Sequence, residues 1–392
     1  MTTTTEVLVI GGGLIGCSTA LHLARRGVTV RVIEKDYVAR HASGVNAGGV
    51  RTLGRALPEL PLSIAAKRLW HALPELVGSD GGFRPVGQIR VAETEEQLAR
   101  LRTRRDTVAA LGLDYAERVI DAEELYERLP ALAPHCVGGL IVDDDGYALP
   151  YATTLAFRQA AERRGAHIQE GATAATPVHA HGLWRVQTSD GVTYRAKVLV
   201  NAAGAWGGRL AAAIGDAVPL QPNGSMLMVT ARMPSFVGPV VGAAGRSLSF
   251  KQFPNGTVLI GGGHRAAVDL DTNDTPLALD GLARAARTAI DLFPIMRTAR
   301  AVRFWSGIEG FLPDGLPVIG PSRGSPSAFH AFGFSAHGFQ LGPIVGQLLA
   351  ELITEGQPSL PLDAFCIDRF DEASHRETEP DTVPPDVTGA AA

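Results

Sequence analysis

Three glycines and one acid carry the most specific chemistry in this sequence. Gly11, Gly13 and Gly16 stand as G-x-G-x-x-G directly after the apolar run at residues 7–10. Glu34 follows roughly 18 residues after the last glycine, at the end of a second apolar run. Glycines at this spacing permit a tight turn, close approach of the backbone to a pyrophosphate, and close packing of helix on strand. The helix that follows offers unpaired N–H groups and a positive dipole end to phosphates. A carboxylate at Glu34 can accept from both hydroxyls of a ribose. The chemistry is dinucleotide binding.

Three further stretches can bring backbone against a flat ligand. HASGVNAGGVR, residues 41–51, is a loop dense in small residues that ends on the fixed charge of Arg51. The alternative is a surface loop, with Arg51 in a supporting salt bridge. VLVNAAGAW, residues 198–206, places small residues after a buried strand, where a nucleotide fold returns to its cofactor. GFSAHGFQLGP, residues 333–343, is a glycine-punctuated loop before a helix predicted to start at about Gly342–Pro343. It is either a second helix N-terminus aimed at the site or a tight strand–helix connection. Asp143, Asp144 and Asp145 lack the closing Glu of a calcium loop and read as a polar turn, so no metal is expected. Cys17, Cys136 and Cys366 form no C-x-x-C pair, which excludes a four-cysteine iron–sulfur site within this chain and gives no disulfide framework.

The elements that position these residues follow from periodicity. The first βαβ unit reads as a strand over 7–10, a helix running to Arg25 and closed by Gly27, and a strand over 28–33. An amphipathic helix over 62–77 carries Trp70; a strand at 88–93 precedes two charged helices, the first capped by Thr94. A helix over 154–165, a strand pair within 167–178 and a hairpin turning at residues 189–191 follow. Residues 219–310 alternate as strands with one helix over 279–293, the pattern of a mixed domain on an antiparallel sheet. A chain of 392 residues is long enough for two interleaved domains, and the last twenty or so residues read as a disordered tail. With a net charge of −4 and no basic block, nucleic acid is not expected as a partner. No membrane span and no signal peptide is visible, and a reducing, cytoplasmic setting fits.

Together, VIGGGLIG with Glu34, ASGVNAGGVR, VNAAGAW, and PDGLPVIGP with GFSAHGFQLGP resemble the flavin-dependent amine oxidoreductases of the D-amino-acid-oxidase superfamily. The resemblance spans residues 6 to about 370 and is strongest to the β subunits of multi-subunit sarcosine oxidases and of opine and D-hydroxyproline dehydrogenases. It implies an α/β fold in which an FAD-binding Rossmann-like domain (1–78, 140–216 and 316–370) is interleaved with an α+β substrate domain (79–139 and 217–315), leaving 371–392 as the tail. By resemblance, Gly11, Gly13, Leu14, Ile15 and Gly16 hold the pyrophosphate, and Glu34 with Lys35 the adenosine side. Ser43, Asn46, Gly48, Gly49 and Val50 line the flavin; Ala174 meets the adenine side; Ala203, Gly204 and Trp206 flank the cofactor. Gly338, Phe339 and Gln340 face the pyrimidine edge of the ring, where a helix N-terminus suits the negative charge of a reduced flavin.

Departures from the family pattern shape the functional reading. Arg303 stands where some relatives carry a flavin-linking cysteine, which implies non-covalent FAD. Ile260 replaces an oxygen-activating lysine four residues before His264, which argues for an electron acceptor other than O₂ and for companion redox subunits. Lys251 and Glu309 replace a carboxylate-binding Tyr and Arg. Lys251 is the candidate anchor for a substrate carboxylate and Glu309 the partner of a cationic substrate nitrogen; the alternative is a structural Lys–Glu ion pair. His264 and His337 are candidates for substrate contact or proton handling, or are satisfied core histidines. Arg51 would polarise the flavin, and Trp305 is a pocket wall or plain core. The reading is oxidation of the C–N bond of an N-substituted or D-amino acid to an imine by the catalytic β subunit of a multi-subunit dehydrogenase. The rivals are a 2-hydroxy-acid dehydrogenase and a non-catalytic FAD-bearing relay subunit.

Overall fold

The computed structural model describes residues 1–325 and 327–370, so the tail expected at 371–392 lies outside the described residues. Thr2–Ile10 is the central strand of the first sheet, and its residues 7–10 are buried because parallel neighbours flank it and helices cover its face. It pairs in parallel with Val30–Ile33 on one side and Thr193–Asn201 on the other. His167–Gln169 extends the sheet beyond Val30–Ile33; Ala328–Phe332 and then antiparallel Val318–Pro321 extend it beyond Thr193–Asn201. Helices Leu14–Arg25, Leu60–His71, Pro150–Arg163 and Gly338–Glu355 share one apolar core, in which Leu14, Trp70, Phe157 and Leu348 are buried.

The second sheet is mixed and mostly antiparallel. Gln221–Thr230 pairs with Ala301–Phe311, Val258–Gly261 and Arg265–Ala266, and the sheet continues through Ser249–Gln252, Val240–Ala243, Gln88–Ala92, Gly138–Val142 and Arg118–Asp121. One face packs Met226, Phe250 and Ile260 against Leu282 and Ala289 of helix Leu279–Leu292. The opposite face meets the first domain, where Trp305 and Lys251 reach the backbone at residues 45–47. The domain boundary expected at 139/140 falls inside strand Gly138–Val142, all of which pairs within this second sheet.

Several local readings are corrected. The helix expected over 62–77 is two helices, Leu60–His71 and Leu73–Val77, broken at Ala72 before Pro74, which has no N–H to continue the ladder. The last long helix begins at Gly338 rather than near Gly342; Pro343 sits past the first turn and costs only the bond that Phe339 O would have accepted. His167–Gln169 and Val178–Ala180 do not pair with each other but with Val30–Ile33 and Leu183–Gln187. The 41–51 loop contains a short helix, Ala42–Val45, and a two-residue strand, Gly49–Val50, paired with Gly146–Tyr147. Helix Glu95–Ala110 is capped by Thr94, whose side chain accepts from Gln97 N.

Candidate active site

An elongated, mostly apolar cavity of about 380 Å³ opens at the carboxyl ends of Thr2–Ile10 and Thr193–Asn201. That is where parallel sheets bind ligands. Its floor is the glycine turn. A Cβ on Gly11, whose φ is +112°, would stand 2.3 Å from Ala202 O, and one on Gly16 would stand 2.0 Å from Gly11 O. Only glycine lets strand, turn and helix approach this closely. Glu34, Lys35, Glu309 and the first turn of helix Gly338–Glu355 line its walls.

Glu34 is buried, and its carboxylate accepts from Gly12 N at 2.7 Å and from Asp36 N at 2.9 Å. Burial raises its pKa despite those bonds. Lys35 Nζ lies 3.5 Å from the centroid of the Trp206 ring, a cation–π contact that fixes both side chains at the rim. Leu14 N donates to Ser43 Oγ at 2.9 Å, tying the glycine turn to the loop that follows the second strand.

Of the residues singled out from sequence, Gly11, Gly13, Ile15, Glu34, Lys35, Ser43, Asn46, Ala174, Ala203, Gly204, Trp206, Glu309, Gly338 and Phe339 line this cavity. Leu14, Gly16, Gly48, Gly49, Val50 and Gln340 do not. Leu14 and Val50 are core residues, and Gln340 is locked behind the wall by its Nε2 bond to Ser63 O at 2.8 Å. Tyr37, Arg40, His41, Arg209 and Phe334 also line it and were not singled out. Arg40, His41 and Phe334 lie in or beside the quoted loops. Arg209 carries no sequence signal, because a helix turn brings it to the rim.

The candidate catalytic side chains divide between the cavity and the protein behind its wall. Glu309, half-buried, faces the cavity and accepts from Ser225 Oγ at 3.1 Å. Burial pushes its pKa up to about 7, against the opposing effects of the Ser225 bond and Arg265. Lys251 is 1% exposed, and its Nζ donates to Ala47 O; burial brings it down to about 7. Lys251 therefore does not present its charge to the cavity, and it forms no ion pair with Glu309. Trp305 Nε1 donates to Val45 O at 2.7 Å, so the indole supports the loop from behind. His264 packs toward Gly281 on the far side of the sheet, and its buried Nε2 has no hydrogen-bond partner among the described residues.

His337 Nδ1 lies 3.0 and 2.9 Å from the two carboxylate oxygens of Glu59, which is fully buried. Burial, with Arg55 and Arg51 nearby, pushes His337 down to about 4, leaving a neutral ring that donates to Glu59. Glu59 carries no motif signal and was missed. Arg51 makes no salt bridge among the described residues; its Nη1 donates to Leu53 O, and burial and Arg55 push it down to about 9.

Two positions that the family pattern singled out lie away from the cavity. Ile260 points into the core against helix Leu279–Leu292, and Leu259, paired with Lys251, occupies the cavity-ward face instead. Arg303 is exposed on its strand. The three acids of the 143–145 turn separate: Asp143 pairs with Arg128, Asp144 with Lys67, and Asp145 is buried, accepting from Thr52 and Leu53.

The cavity suits a dinucleotide carrying a flat ring. A buried carboxylate, Glu34, lines it together with the starts of helices Leu14–Arg25 and Gly338–Glu355 and a run of small residues. The sequence matches the family described as "DAO: FAD dependent oxidoreductase" over residues 6–352. Glycine oxidase of Geobacillus kaustophilus (strain HTA426) is 29% identical, the alignment covering 94% of this chain and 98% of that protein. Its crystal structure superposes with a TM-score of 0.84 over 93% of this chain and 99% of that one. An opine oxidase subunit of Rhizobium meliloti is 27% identical over 93% of this chain and 98% of that protein. The crystal structure of L-proline dehydrogenase from P. horikoshii, 25% identical, gives a TM-score of 0.87 over 94% of this chain and 98% of that one.

Proposed function

Because the chain belongs to the DAO family of FAD dependent oxidoreductases and oxidises amino-acid-like C–N donors, we propose that its substrate is an N-substituted or D-configured amino acid of the opine, sarcosine or D-hydroxyproline type. One observation carries this reading: Glu309 places an acceptor carboxylate in the cavity wall, held by Ser225 and tuned to about 7. Bound FAD supplies the hydride acceptor. The protein must deliver the substrate as a neutral amine, since the nitrogen lone pair assists departure of the adjacent hydride. Glu309 takes the ammonium proton, and its raised pKa suits the transfer near neutrality. The product imine then hydrolyses in water.

The same reading has FAD held without a covalent bond and electrons passed to an acceptor other than O₂. Leu259, an uncharged residue, stands on the cavity-ward face beside Lys251, whose charge is engaged by Ala47 O. Companion redox subunits follow from that reading and from the naming of one relative as a subunit. A reducing, cytoplasmic compartment accords with three cysteines that are all unpaired. No helix among the described residues is long and apolar enough to cross a membrane. The test is anaerobic addition of opines, sarcosine, D-proline, D-amino acids and 2-hydroxy acids to the yellow protein. Bleaching by a secondary or D-configured amine supports the reading; bleaching by 2-hydroxy acids alone overturns it.

A further inference from the structure

Two side chains of the second domain reach the loop at residues 45–47 of the first. Trp305 Nε1 donates to Val45 O at 2.7 Å, and Lys251 Nζ donates to Ala47 O. Between those carbonyls stands Asn46, which lines the cavity. The strand of Trp305 sits against the same loop, for a Cβ added at Gly307 would stand 2.7 Å from Val45 Cγ2. From the other side Leu14 N donates to Ser43 Oγ at 2.9 Å, and within the loop Gly48 N donates to Asn46 Oδ1 at 2.7 Å. The cavity wall at Asn46 is thus a short arch fixed at both feet by donors from the sheet above. One of those donors is a cation with no carboxylate within ion-pair distance among the described residues; its other neighbour is the Tyr147 ring, 5.4 Å from Nζ.

We propose that Lys251 and Trp305 are positioning residues that hold the cavity-lining arch at 45–47, and that Lys251 also sets a positive charge behind that wall which favours reduced over oxidised FAD. The physical basis is general. A flavin gains negative charge when it is reduced, and Lys251, which carries its proton below the value of about 7 to which burial brings it, is then a buried cation one peptide behind the wall that acts through a low-dielectric medium with little screening. A tie made to backbone carbonyls transmits the position of the roof directly to the arch, since a donor held by a carbonyl oxygen fixes main chain rather than a mobile side chain. The assignment differs from that of a substrate anchor, because Nζ is turned into the protein. It rests on family membership and does not depend on which amine is the substrate.

The two roles separate experimentally. Lys251→Gln keeps an N–H donor for Ala47 O and loses the charge; Trp305→Phe loses a tie and changes no charge. The midpoint potential of bound FAD is measured by anaerobic dye-linked titration at about pH 6, where Lys251 is protonated, and FAD release by the rise in free-flavin fluorescence after dilution. Lys251→Gln should lower the preference for reduced FAD about tenfold, which is about 30 mV for a two-electron couple, with FAD release within twofold of the parent. Trp305→Phe should release FAD at least threefold faster with the midpoint unchanged. Lys251→Arg, which keeps the charge, should restore the midpoint, and melting curves report whether each variant is folded. A folded Lys251→Gln with the parent midpoint overturns the electrostatic role, and a Trp305→Phe with the parent release rate overturns the tie. If Lys251→Gln does not fold, Lys251→Arg decides, a lowered midpoint in that charge-keeping variant overturning the assignment.

Discussion

The carboxylate of Glu59 holds His337 Nδ1 between its two oxygens, at 3.0 and 2.9 Å, directly before the helix turn that walls the cavity. Both partners are buried, and the ring is neutral near pH 7 because burial and neighbouring arginines push its pKa down to about 4. An unfolded chain takes up that proton at an ordinary histidine pKa of about 6.5. The pair's contribution to stability is therefore complete above about pH 6.5 and is lost as pH falls from there toward 4. Glu59, whose pKa is lowered by His337 against its burial, loses stability in the same direction in more acid solution. Urea unfolding followed from about pH 7.5 down to about pH 5 should show a decline of order 1–3 kcal/mol. That decline should flatten in His337→Gln. Parallel curves for parent and variant would remove His337 from the pH dependence.

Glu309 makes a different kind of prediction, on rate rather than stability. Its pKa of about 7, raised by burial, means that the ionised form that can accept a proton is lost as pH falls below neutrality. For a turning-over substrate, kcat should carry an acid limb near that value. Glu309→Gln should lower kcat by about 10²-fold and remove the limb, in line with general-base losses. Ser225→Ala deletes the one donor this carboxylate has among the described residues, so the limb should move to higher pH while FAD stays bound. A Glu309→Gln enzyme with parental kcat and the same limb would assign the proton to another group.

Glu34 lines the same cavity while its carboxylate accepts two backbone N–H groups, and we propose it as the acceptor for a ribose. Glu34→Ala strips those donors of their partner and removes the hydroxyl acceptor. FAD affinity should fall by about tenfold to a hundredfold, and the apoprotein should lose about 1–3 kcal/mol for buried groups left unpaired. Equilibrium dialysis against FAD and melting of the apoprotein measure the two losses separately. Affinity within twofold of the parent would place the ribose elsewhere.

The mode of FAD attachment is open to a simple assay. Arg303 is exposed and lies off the cavity. Cys17 is buried in helix Leu14–Arg25. Precipitation of the yellow protein with acid should therefore leave essentially all flavin in the supernatant. Yellow colour retained by the washed pellet would show a covalent link.

What was legible in the sequence is what depends on neighbours along the chain. The glycine turn, the helix after it and Glu34 at the next strand end form one continuous βαβ unit, so spacing alone specifies their geometry. Thr94 as a cap is equally local. Misplaced boundaries arose where one competing rule decided: Pro74 broke a helix that periodicity had continued, and Pro343 was tolerated inside a helix because its missing donor costs a single bond.

Tertiary structure alone decided which of the isolated polar residues meet. Strand alternation sends neighbouring side chains to opposite faces, so one register step separates Leu259, on the cavity-ward side, from Ile260 in the far core. Lys251 turned out to bond a carbonyl 204 residues earlier in the chain, and His337 a carboxylate 278 residues earlier. No local pattern encodes such pairings: Lys251 meets Ala47 where the second sheet packs on the first domain, and His337 meets Glu59 where two helix starts of the first domain come together. The sequence by itself determined the dinucleotide fold, since close backbone approach demands glycine at fixed spacing. Only the packing of the second sheet determined which charges face the cavity and which are buried behind it.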